Sequence, residues 1–352
     1  MASVLRRRGR ARTAIGACLA RVPALAVLAV VAACTPGRAD QTTARTPLQA
    51  GYESAITQVL PSVVEITTAK STGSGVVFDQ HGDIVTNAHV VGTAKKFKVR
   101  ASTTSLTLNA RLIGLFTPDD LAVIRVTGGA NDLKPVRWAD SARARVGQIV
   151  LAMGAPYGLV DSVTQGIVSA TGRTVTGPTI AGKAPTVIVN AVQTSAAINP
   201  GNSGGALVLL NGRVLGIPTL SARDPEIGGP ALGIGFAIPA NTAVNISRQL
   251  IKSGRVTKSD RASLEIVGET HVSSLRKPDG VTVVRTTPGG AAAAAGIRPG
   301  EVISGIDGQA TRDLAELENV LISYRPGERV KVEVMRSGTP RQVIVKLGSL
   351  GS

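Results

Sequence analysis

A serine stands in the middle of a glycine-rich turn, where residues 199–205 read Asn-Pro-Gly-Asn-Ser-Gly-Gly. A tight turn of this kind exposes the hydroxyl of Ser203 and lets neighbouring backbone N–H groups converge on one point, as an oxyanion hole requires. A serine hydroxyl is inert at neutral pH, so this chemistry also needs a general base. The alternative is a glycine-rich hairpin that contains an incidental serine.

Three histidines compete for the role of that base, namely His81, His89 and His271. His81 falls in a predicted hairpin turn and His271 lies among polar residues of the second domain, so both are typical of surface histidines. His89 directly follows a predicted strand, in the Thr-Asn-Ala-His-Val-Val segment of residues 86–91. We therefore expect His89 to be the base. The alternative is a core histidine with a buried polar partner.

An acid that orients this histidine is expected where Asp119 and Asp120 precede the apolar run Leu-Ala-Val-Ile of residues 121–124. A carboxylate entering an apolar strand is costly unless it accepts hydrogen bonds, and a histidine N–H is a suitable donor. Asp120 adjoins the strand and is the predicted partner, whereas Asp119 is expected to be a solvated neighbour. The resulting chain order of His, Asp and Ser is the chymotrypsin order.

Short strands must position these residues, because the chain beyond residue 51 alternates brief apolar runs with Gly, Asn and Asp turns. Many short strands over such a length are typical of β-barrels or sandwiches, so the expected fold class is mostly β. The first convincing helix spans residues 242–253 and ends at Gly254. We place the domain boundary just after it, between bodies of residues 52–254 and 262–348.

Composition excludes several classes of function. The 352 residues carry a formal net charge of +16, but aromatic residues make up only 2%, so stacking platforms for nucleic acid are scarce and no nucleic-acid binding is expected. The two cysteines, Cys18 and Cys34, both precede the folded body, which therefore has no disulfide, thiol nucleophile or cysteine zinc site. With three histidines in all, we expect no metal and no cofactor.

The first 33 residues have the pattern of a signal peptide, with a run of arginines followed by the apolar stretch of residues 22–33. The sequence Val-Ala-Ala-Cys at its end resembles a lipoprotein box, which predicts a lipid on Cys34 and a membrane-anchored protein of the cell envelope. Cleavage by ordinary signal peptidase and an uncleaved anchor are the alternatives. Residues 34–51 are small and polar, so they are expected to form a tether.

Several segments taken together resemble the HtrA (high-temperature-requirement) family of serine proteases. They are Gly-Ser-Gly-Val-Val (73–77), Thr-Asn-Ala-His-Val-Val (86–91), Asp-Leu-Ala-Val (120–123), Gln-Gly-Ile-Val-Ser (165–169), Gly-Asn-Ser-Gly-Gly (201–205) and Ile-Gly-Phe-Ala-Ile-Pro (234–239). The resemblance covers roughly residues 52–348. It implies a chymotrypsin-like double β-barrel followed by one PDZ domain. It also implies that His89 is the general base, that Asp120 orients it and that Ser203 is the nucleophile.

The resemblance also assigns the residues around the nucleophile. The amides of Gly201 and Ser203, with Asn202 between them, correspond to the oxyanion donors. Ala197 stands where the floor of the primary specificity pocket is expected. Together with Ile198 and Ile234 it implies a pocket for small aliphatic side chains, because a trypsin-like enzyme would need an acid there. The strand of residues 233–238 is expected to pair with the substrate backbone.

Two departures from the family pattern concern loops. Ser195 follows Thr194 where the family usually has Asp, which puts the local loop network in doubt, and the short interval of residues 65–75 argues against a large cage. Arg173 falls at a position that relays the state of the PDZ domain to the catalytic loops in the family, and a solvated loop arginine is the alternative. Tyr52 lies in the segment through which the family forms trimers, so a homotrimer is expected.

In the second body, Ser-Leu-Glu-Ile at residues 263–266 aligns with the loop by which PDZ domains capture a C-terminal carboxylate. Leu264, Glu265, Ile266 and Leu314 are the predicted peptide-binding residues. Glu265 replaces the usual Gly and is expected to bring a like charge towards the incoming carboxylate, which weakens tail capture. The helix that presents Leu314, Leu317 and Leu321 on one face is expected to be capped by Thr311.

These features predict a membrane-tethered serine endopeptidase that cleaves unfolded or mislocalised envelope proteins in protein quality control and stress response. Its partners would be unfolded proteins or peptides and, at the PDZ domain, C-terminal peptides. One alternative is a chaperone or peptide-binding scaffold whose protease domain is largely latent. Another is a regulatory protease with one dedicated substrate.

Overall fold

The computed structural model of the chain describes residues 46–101, 107–155, 162–179, 185–199, 201–223, 230–273, 276–336 and 338–351. The predicted signal peptide and the predicted lipid site Cys34 lie outside these residues. Residues 47–352 form one compact unit. In the described ranges, every helix is too short or too polar to cross a bilayer.

The described chain begins with helix α1 (Pro47–Val59). Proline suits the first turn of a helix, because the N–H that it lacks would have no partner there. Ala55 and Val59 are buried, and Tyr52 packs against the same core. The predicted tether of residues 34–51 is therefore wrong at its end, since the chain is already helical from Pro47.

Six antiparallel strands form the first closed barrel, in the order β1-β2-β3-β6-β5-β4. They are β1 (Val63–Thr67), β2 (Thr72–Val77), β3 (Asp83–Asn87), β4 (Lys96–Ala101), β5 (Thr107–Phe116) and β6 (Leu121–Val126). Helix α2 (Ala88–Val91) follows β3, and a 3-10 turn (Thr117–Asp119) connects β5 to β6. Both connections lie at one end of the barrel, because β3 and β6 are paired neighbours.

The second barrel is built from the next seven strands, in the order β11-β8-β9-β10-β13-β12-β7, and pairing of β11 with β12 closes it. They are β7 (Arg137–Trp138), β8 (Ile149–Gly154), β9 (Ser162–Thr179), β10 (Pro185–Thr194), β11 (Ala206–Leu209), β12 (Arg213–Arg223) and β13 (Pro230–Pro239). Arg173 lies within β9 rather than in a loop. Helix α3 (Ala240–Ser253) follows and ends at Gly254 with φ 70°, as predicted.

One hydrophobic cluster joins the two barrels, because both contribute side chains to it. Its members include Phe116 and Leu121 of the first barrel, Met153 and Ile217 of the second, and Leu250 of α3, all almost completely buried. The cluster holds the start of β6 against β12 and α3. Residues at the adjoining strand ends therefore have fixed relative positions.

The remaining residues form a smaller body with its own core. Its elements are β14 (Ala262–Ser263), β15 (Ile266–Val272), β16 (Pro278–Thr286), α4 (Ala291–Ala294), β17 (Val302–Ile306), β18 (Gln309–Ala310), α5 (Leu314–Leu321), β19 (Arg329–Arg336), β20 (Thr339–Lys346) and β21 (Gly348–Ser349). Strand β15 lies at an edge of its sheet and packs near α5. The predicted cap Thr311 is wrong. Asp313 caps α5 by accepting from the Glu316 N–H at 2.8 Å, because it directly precedes the first turn.

Candidate active site

His89 and Asp120 are in direct contact. The imidazole Nδ1 lies 2.7 Å from Asp120 Oδ2, and the backbone N–H of His89 donates to Asp120 Oδ1 at 2.9 Å. The hydroxyl of Thr219 donates to Asp120 Oδ2 at 2.5 Å. Asp120 is completely buried, and these donors offset the cost of burying its carboxylate. A proton on Nδ1 leaves the lone pair of Nε2 available as a base.

The backbone of Asp120 is held in the left-handed region, at φ 51° and ψ 40°. Its carbonyl accepts from the Ala88 N–H and from Asn87 Nδ2, each at 3.0 Å, and its own N–H donates to Thr117 O at 3.1 Å. Left-handed geometry in a non-glycine residue costs about 1–3 kcal/mol and persists only where surrounding contacts over-determine it. Such strain is typical of functional sites.

Ser203 is connected to this pair through Thr219. The hydroxyl of Ser203 donates to the Thr219 carbonyl at 3.2 Å, while the Thr219 side chain bonds to Asp120. The structure therefore brings the three predicted residues into one network at the interface of the barrels. Thr219 was missed in the sequence because nothing in its local pattern marks a threonine of β12 as a partner of a residue ninety-nine positions earlier.

The backbone around Ser203 leaves two amides available. The amides of Asn202, Gly204 and Gly205 donate to carbonyls at 2.9 to 3.0 Å. Among the described residues, the amides of Gly201 and Ser203 have no backbone acceptor. These are the two predicted oxyanion donors, and Gly201 has φ 109°, which side chains rarely adopt.

Ser74 supports the same turn and was also missed. Its hydroxyl donates to Gly201 O at 2.5 Å and accepts from the Ala155 N–H at 2.8 Å, while its N–H donates to Ser203 O at 3.0 Å. Ser74 is fully buried, so these bonds are not weakened by water. The Gly-Ser-Gly sequence of β2 was a visible signal, but it gave no indication of what the serine contacts.

The predicted specificity residues lie near the nucleophile turn but have different environments. Ala197 is exposed, and its carbonyl accepts from Thr164 Oγ1 at 2.8 Å. Ile198 is 5% exposed and packs in the core of the second barrel, whereas Ile234 is 38% exposed. The hydroxyl of Ser195, where the family usually has Asp, accepts from the Ile167 N–H at 3.0 Å.

The expectation that residues 233–238 pair with a substrate is wrong for residues 235–237. Residues 235–237 of β13 are paired with β10 on one side, and the same residues are paired with β12 on the other. A strand with two neighbours has no free edge. By contrast, β12 beyond Pro218 pairs only with β13 among the described residues, which leaves one edge of residues 219–221 open beside Ser203.

Strand β15 and helix α5 of the smaller body form one wall of a cavity of about 640 Å³, and the second barrel contributes to the opposite wall. The face formed by β15 and α5 is called the groove. Three of the predicted peptide-binding residues, Leu264, Ile266 and Leu314, line it, but Glu265 does not. The Glu265 carboxylate instead accepts from the Ala291 N–H at 2.7 Å, at the start of α4. The charge of Glu265 is therefore held at the start of α4, whereas the sequence predicted that it would face an incoming carboxylate.

Arg173 and Tyr52 both have partners within the chain. Arg173 is exposed on β9, and its Nε donates to Gln193 Oε1 of β10 at 3.2 Å. The next residue, Thr174, lines the groove cavity. The Tyr52 hydroxyl hydrogen-bonds to the Gln165 side chain.

Asp119 is buried rather than solvated, which corrects the expectation from the sequence. It is 2% exposed, and its Oδ1 lies 3.6 Å from Nη1 of Arg261. Burial raises the pKa of Asp119 to about 6, with Arg261 acting in the opposite direction and Asp260 adding to the rise. Asp119, the residue before Asp120, is thus a buried carboxyl group that can gain or lose a proton near pH 6.

Comparison with protein families gives two matches. The family described as "Trypsin-like peptidase domain" matches residues 73–217, which include all three clustered residues, and "PDZ domain" matches residues 230–347. The second match begins at the first residue of β13, before the boundary predicted at residues 254–261.

Among curated proteins, the chain is 36% identical over 285 residues to a probable periplasmic serine endoprotease DegP-like of Pseudomonas putida. That alignment covers 80% of this chain and 57% of the relative. The chain is also 36% identical over 282 residues to the periplasmic pH-dependent serine endoprotease DegQ of Escherichia coli, with 78% and 59% covered. It therefore spans a little over half the length of these relatives.

Among solved structures, a serine endoprotease from Yersinia pestis aligns with a TM-score of 0.55 and 34% identity, over 85% of this chain and 98% of that one. The HtrA-type protease AlgW with a decapeptide aligns with a TM-score of 0.55 and 28% identity, over 85% and 98%. Both alignments extend over more of the chain than the two barrels alone.

Proposed function

The chain belongs to the HtrA family of trypsin-like serine proteases, and from that membership we propose that it is an exported serine endoprotease acting on unfolded or mislocalised envelope proteins. One observation carries the proposal. The buried carboxylate of Asp120 holds His89 by its ring and its backbone, and Thr219 links that carboxylate to Ser203. This arrangement is suited to acyl transfer by a serine nucleophile.

In the proposed mechanism, the Ser203 hydroxyl rotates from the Thr219 carbonyl to Nε2 of His89. His89 takes the proton as Ser203 attacks the scissile carbonyl, and Asp120 stabilises the imidazolium that forms. The oxyanion is stabilised by the N–H groups of Gly201 and Ser203, which are free of backbone acceptors among the described residues. His89 then gives the proton to the leaving amine, and water releases the acyl group.

The open edge of β12 supports a position for the substrate. A peptide strand that pairs with residues 219–221 would pass Ser203, because the Thr219 carbonyl already contacts its hydroxyl. Specificity for small aliphatic residues is proposed from Ala197, which offers no charge to Lys or Arg. Mass spectrometry of casein fragments tests this, and dominant cuts after Lys or Arg would contradict it.

The deciding experiment compares cleavage of unfolded casein by the exported protein and by Ser203→Ala. Loss of the nucleophile should reduce kcat by roughly 10⁴ to 10⁶ without unfolding the protein. Ser247→Ala is a matched control, because Ser247 is buried on α3 and its hydroxyl has no partner among the described residues. Cleavage by Ser203→Ala at the wild-type rate would exclude the proposed nucleophile.

A peptide-binding scaffold with a latent protease domain is the second candidate. The observation that favours it is the bond from the Ser203 hydroxyl to the Thr219 carbonyl rather than to His89. A latent scaffold would suppress aggregation of unfolded casein equally well in wild type and Ser203→Ala, with no fragments from either. A protease would produce fragments only in the wild type.

Membrane attachment and assembly are further parts of the proposal. The lipoprotein box supports a lipid on Cys34, and the family resemblance supports a homotrimer. Light scattering of the body from residue 46 onward, which keeps α1 whole, tests the trimer, and a monomer would exclude it.

A further inference from the structure

The groove cavity contains an acidic side chain that has no hydrogen-bond donor. Glu318 lies on α5 one turn after Leu314, and both residues line the cavity. Among the described residues, the Glu318 carboxylate accepts no hydrogen bond, and burial raises its pKa while the charge of Arg261 acts in the opposite direction. Arg325 also lines the cavity but does not contribute to that pKa. A carboxylate that has lost part of its water is unfavourable until a ligand supplies a donor.

Arg261 does not supply that donor, because its guanidinium is held by other partners. Its Nη1 donates to the Pro118 carbonyl at 2.7 Å and to the Val187 carbonyl at 3.2 Å. The same nitrogen lies 3.6 Å from Asp119 Oδ1, and only 10% of the side chain is exposed. The negative charge of Glu318 is therefore open to a cation from outside the chain.

A second polar group without a partner lies in the opposite wall of the cavity. Thr186 of β10 is 2% exposed and lines the cavity, and its hydroxyl has no hydrogen-bond partner among the described residues. Buried polar groups are nearly always hydrogen-bonded, so this exception at a cavity wall indicates a ligand. A carboxylate only accepts hydrogen bonds and a hydroxyl can accept one, so a cationic group with several N–H donors would satisfy both.

The surface around Glu318 suits the methylene chain of a basic side chain. Leu264, Ile266 and Leu314 contribute apolar surface to the same cavity. Strand β15 lies at an edge of its sheet, so an extended peptide can pair with it and direct alternate side chains towards α5. A lysine or arginine there would pack its methylenes on the leucines and place its charge at the carboxylate.

We propose that the groove cavity selects peptides that carry a lysine or arginine side chain, with Glu318 as the specificity-determining residue and Thr186 as a second acceptor. The inference rests on the proposed function, in which the PDZ domain binds peptides, and deepens it by naming their chemical class. A purely apolar peptide would cover the Glu318 carboxylate without pairing it, and an acidic peptide would add repulsion.

The test measures peptide binding by fluorescence anisotropy, using the full exported chain with Ser203→Ala so that no probe is cleaved. The probes are labelled octapeptides with a hydrophobic C-terminal residue, in matched sets that carry lysine, norleucine or glutamate at one of the three preceding positions. We expect the lysine peptide to bind about tenfold more tightly than the norleucine peptide at one position, and the glutamate peptide to bind most weakly. The chain has a formal net charge of +16, so general attraction favours acidic peptides and a lysine preference requires a local acceptor.

Variants of α5 assign the preference to one carboxylate. Glu318→Gln should reduce the ratio of the two Kd values to about twofold or less, and Glu318→Lys should reverse the preference in favour of the glutamate peptide. Glu316→Gln is the matched control on the same helix, because Glu316 already pairs with Arg312 at 2.7 Å and lies outside the cavity lining. It should keep the wild-type preference.

Thr186→Val tests the second acceptor. We expect it to weaken binding of the lysine peptide about threefold or more and to leave binding of the norleucine peptide unchanged. Thr311→Val is its control, because Thr311 has an equally buried hydroxyl without a partner among the described residues and lies outside the cavity lining.

Equal affinity for the lysine and norleucine peptides at all three positions would overturn the proposal, and so would a lysine preference that persists in Glu318→Gln. These failures are distinguishable from failure of the proposed function, because binding is measured without an active nucleophile. A wild-type protein that neither cleaves casein nor reacts with a fluorophosphonate would contradict the protease function. Intact casein cleavage without peptide selectivity would contradict only the selection by Glu318.

Discussion

At the residue scale, the site depends on one buried carboxylate with an unusual number of partners. Asp120 binds both the backbone and the ring of His89 and also the hydroxyl of Thr219. A carboxylate without water is stable only when its oxygens accept hydrogen bonds, so each donor also determines its direction. Among the described residues, the neighbouring Asp119 has one oppositely charged partner, Arg261, and burial raises its pKa to about 6.

Replacing Thr219 by valine should lower kcat about tenfold or more while KM changes little. A hydrogen bond to a charged group contributes about 1.5–3 kcal/mol, and its loss frees the Asp120 carboxylate to turn from His89. Thr311→Val is the control, since its buried hydroxyl has no partner among the described residues. Steady-state casein kinetics make the measurement, and equal kcat values for both variants would contradict this role of Thr219.

The stability of Asp119→Asn relative to wild type should depend on pH. Burial raises the pKa of Asp119 to about 6 from 3.8, so between these values the folded state binds a proton that the unfolded state has lost. Wild-type stability therefore falls as pH rises from 4 to 7, by up to about 3 kcal/mol, whereas the asparagine variant has no such loss. Urea unfolding at several pH values measures the difference.

Glu301→Gln is the control, because its difference in stability from the wild type should change with pH in the opposite direction. Desolvation raises the pKa of Glu301, but hydrogen bonds from the Arg298 N–H and Arg336, with the charge of Arg341, lower it overall. The wild type should gain stability over this variant as pH rises through the acidic range. A difference for Asp119→Asn that does not change between pH 4 and 7 would contradict the burial of an ionisable Asp119.

At the element scale, the β9–β10 hairpin connects the substrate side of the second barrel with the PDZ groove. Thr174 of β9 and Thr186 of β10 line the groove cavity, while residues at the other end of these strands adjoin the nucleophile turn. The hairpin is irregular, with several shifts of register, and Asn190 has φ 58°. Register shifts disrupt the hydrogen-bonded ladder locally, which suits this hairpin to transmit a change.

Arg173→Ala should reduce peptide-stimulated cleavage several-fold without changing the cleavage sites. Arg173 joins β9 to β10 through Gln193, so its loss loosens the hairpin but leaves Ser203 and its partners intact. Coupling of this kind typically corresponds to 5- to 150-fold. Hydrolysis with and without a hydrophobic C-terminal peptide measures the effect, and Arg111→Ala on β5 is an exposed control. Full stimulation in Arg173→Ala would contradict the relay.

At the scale of the whole molecule, the two barrels and the PDZ domain are connected by different kinds of contact. The barrels are joined by a common hydrophobic cluster, whereas Arg261 joins the PDZ domain to both through hydrogen bonds from a charged side chain. Polar contacts of this kind break and re-form more readily than a packed core, so they suit a regulated connection.

The Cys34→Ala protein should leave the membrane fraction. A lipid on the first mature residue is the only attachment in the proposed arrangement, and this substitution removes the sulfur that carries it. Fractionation and metabolic labelling with a fatty acid make the measurement, and Cys18→Ala is the control. Unchanged membrane association of Cys34→Ala would favour an uncleaved anchor.

The strands and the order of the three site residues could be predicted because their signals are local. Alternating apolar runs between glycine turns specify strands through side-chain periodicity, and the Thr-Asn-Ala-His and Gly-Asn-Ser-Gly-Gly segments carry their chemistry within a few residues. The structure brings His89, Asp120 and Ser203 into one network, as their contexts indicated. The barrel pair was inferred from family resemblance, not from these patterns.

Tertiary structure alone decided which polar groups are buried and where they point. The sequence predicted a solvated Asp119, yet Arg261, more than a hundred residues later, lies against it and it is buried. Glu265 faces α4 instead of the groove, because the Ala291 N–H at the start of that helix offers it a donor. Burial and hydrogen-bond partners depend on segments far apart in the chain, and folding is what brings such segments together.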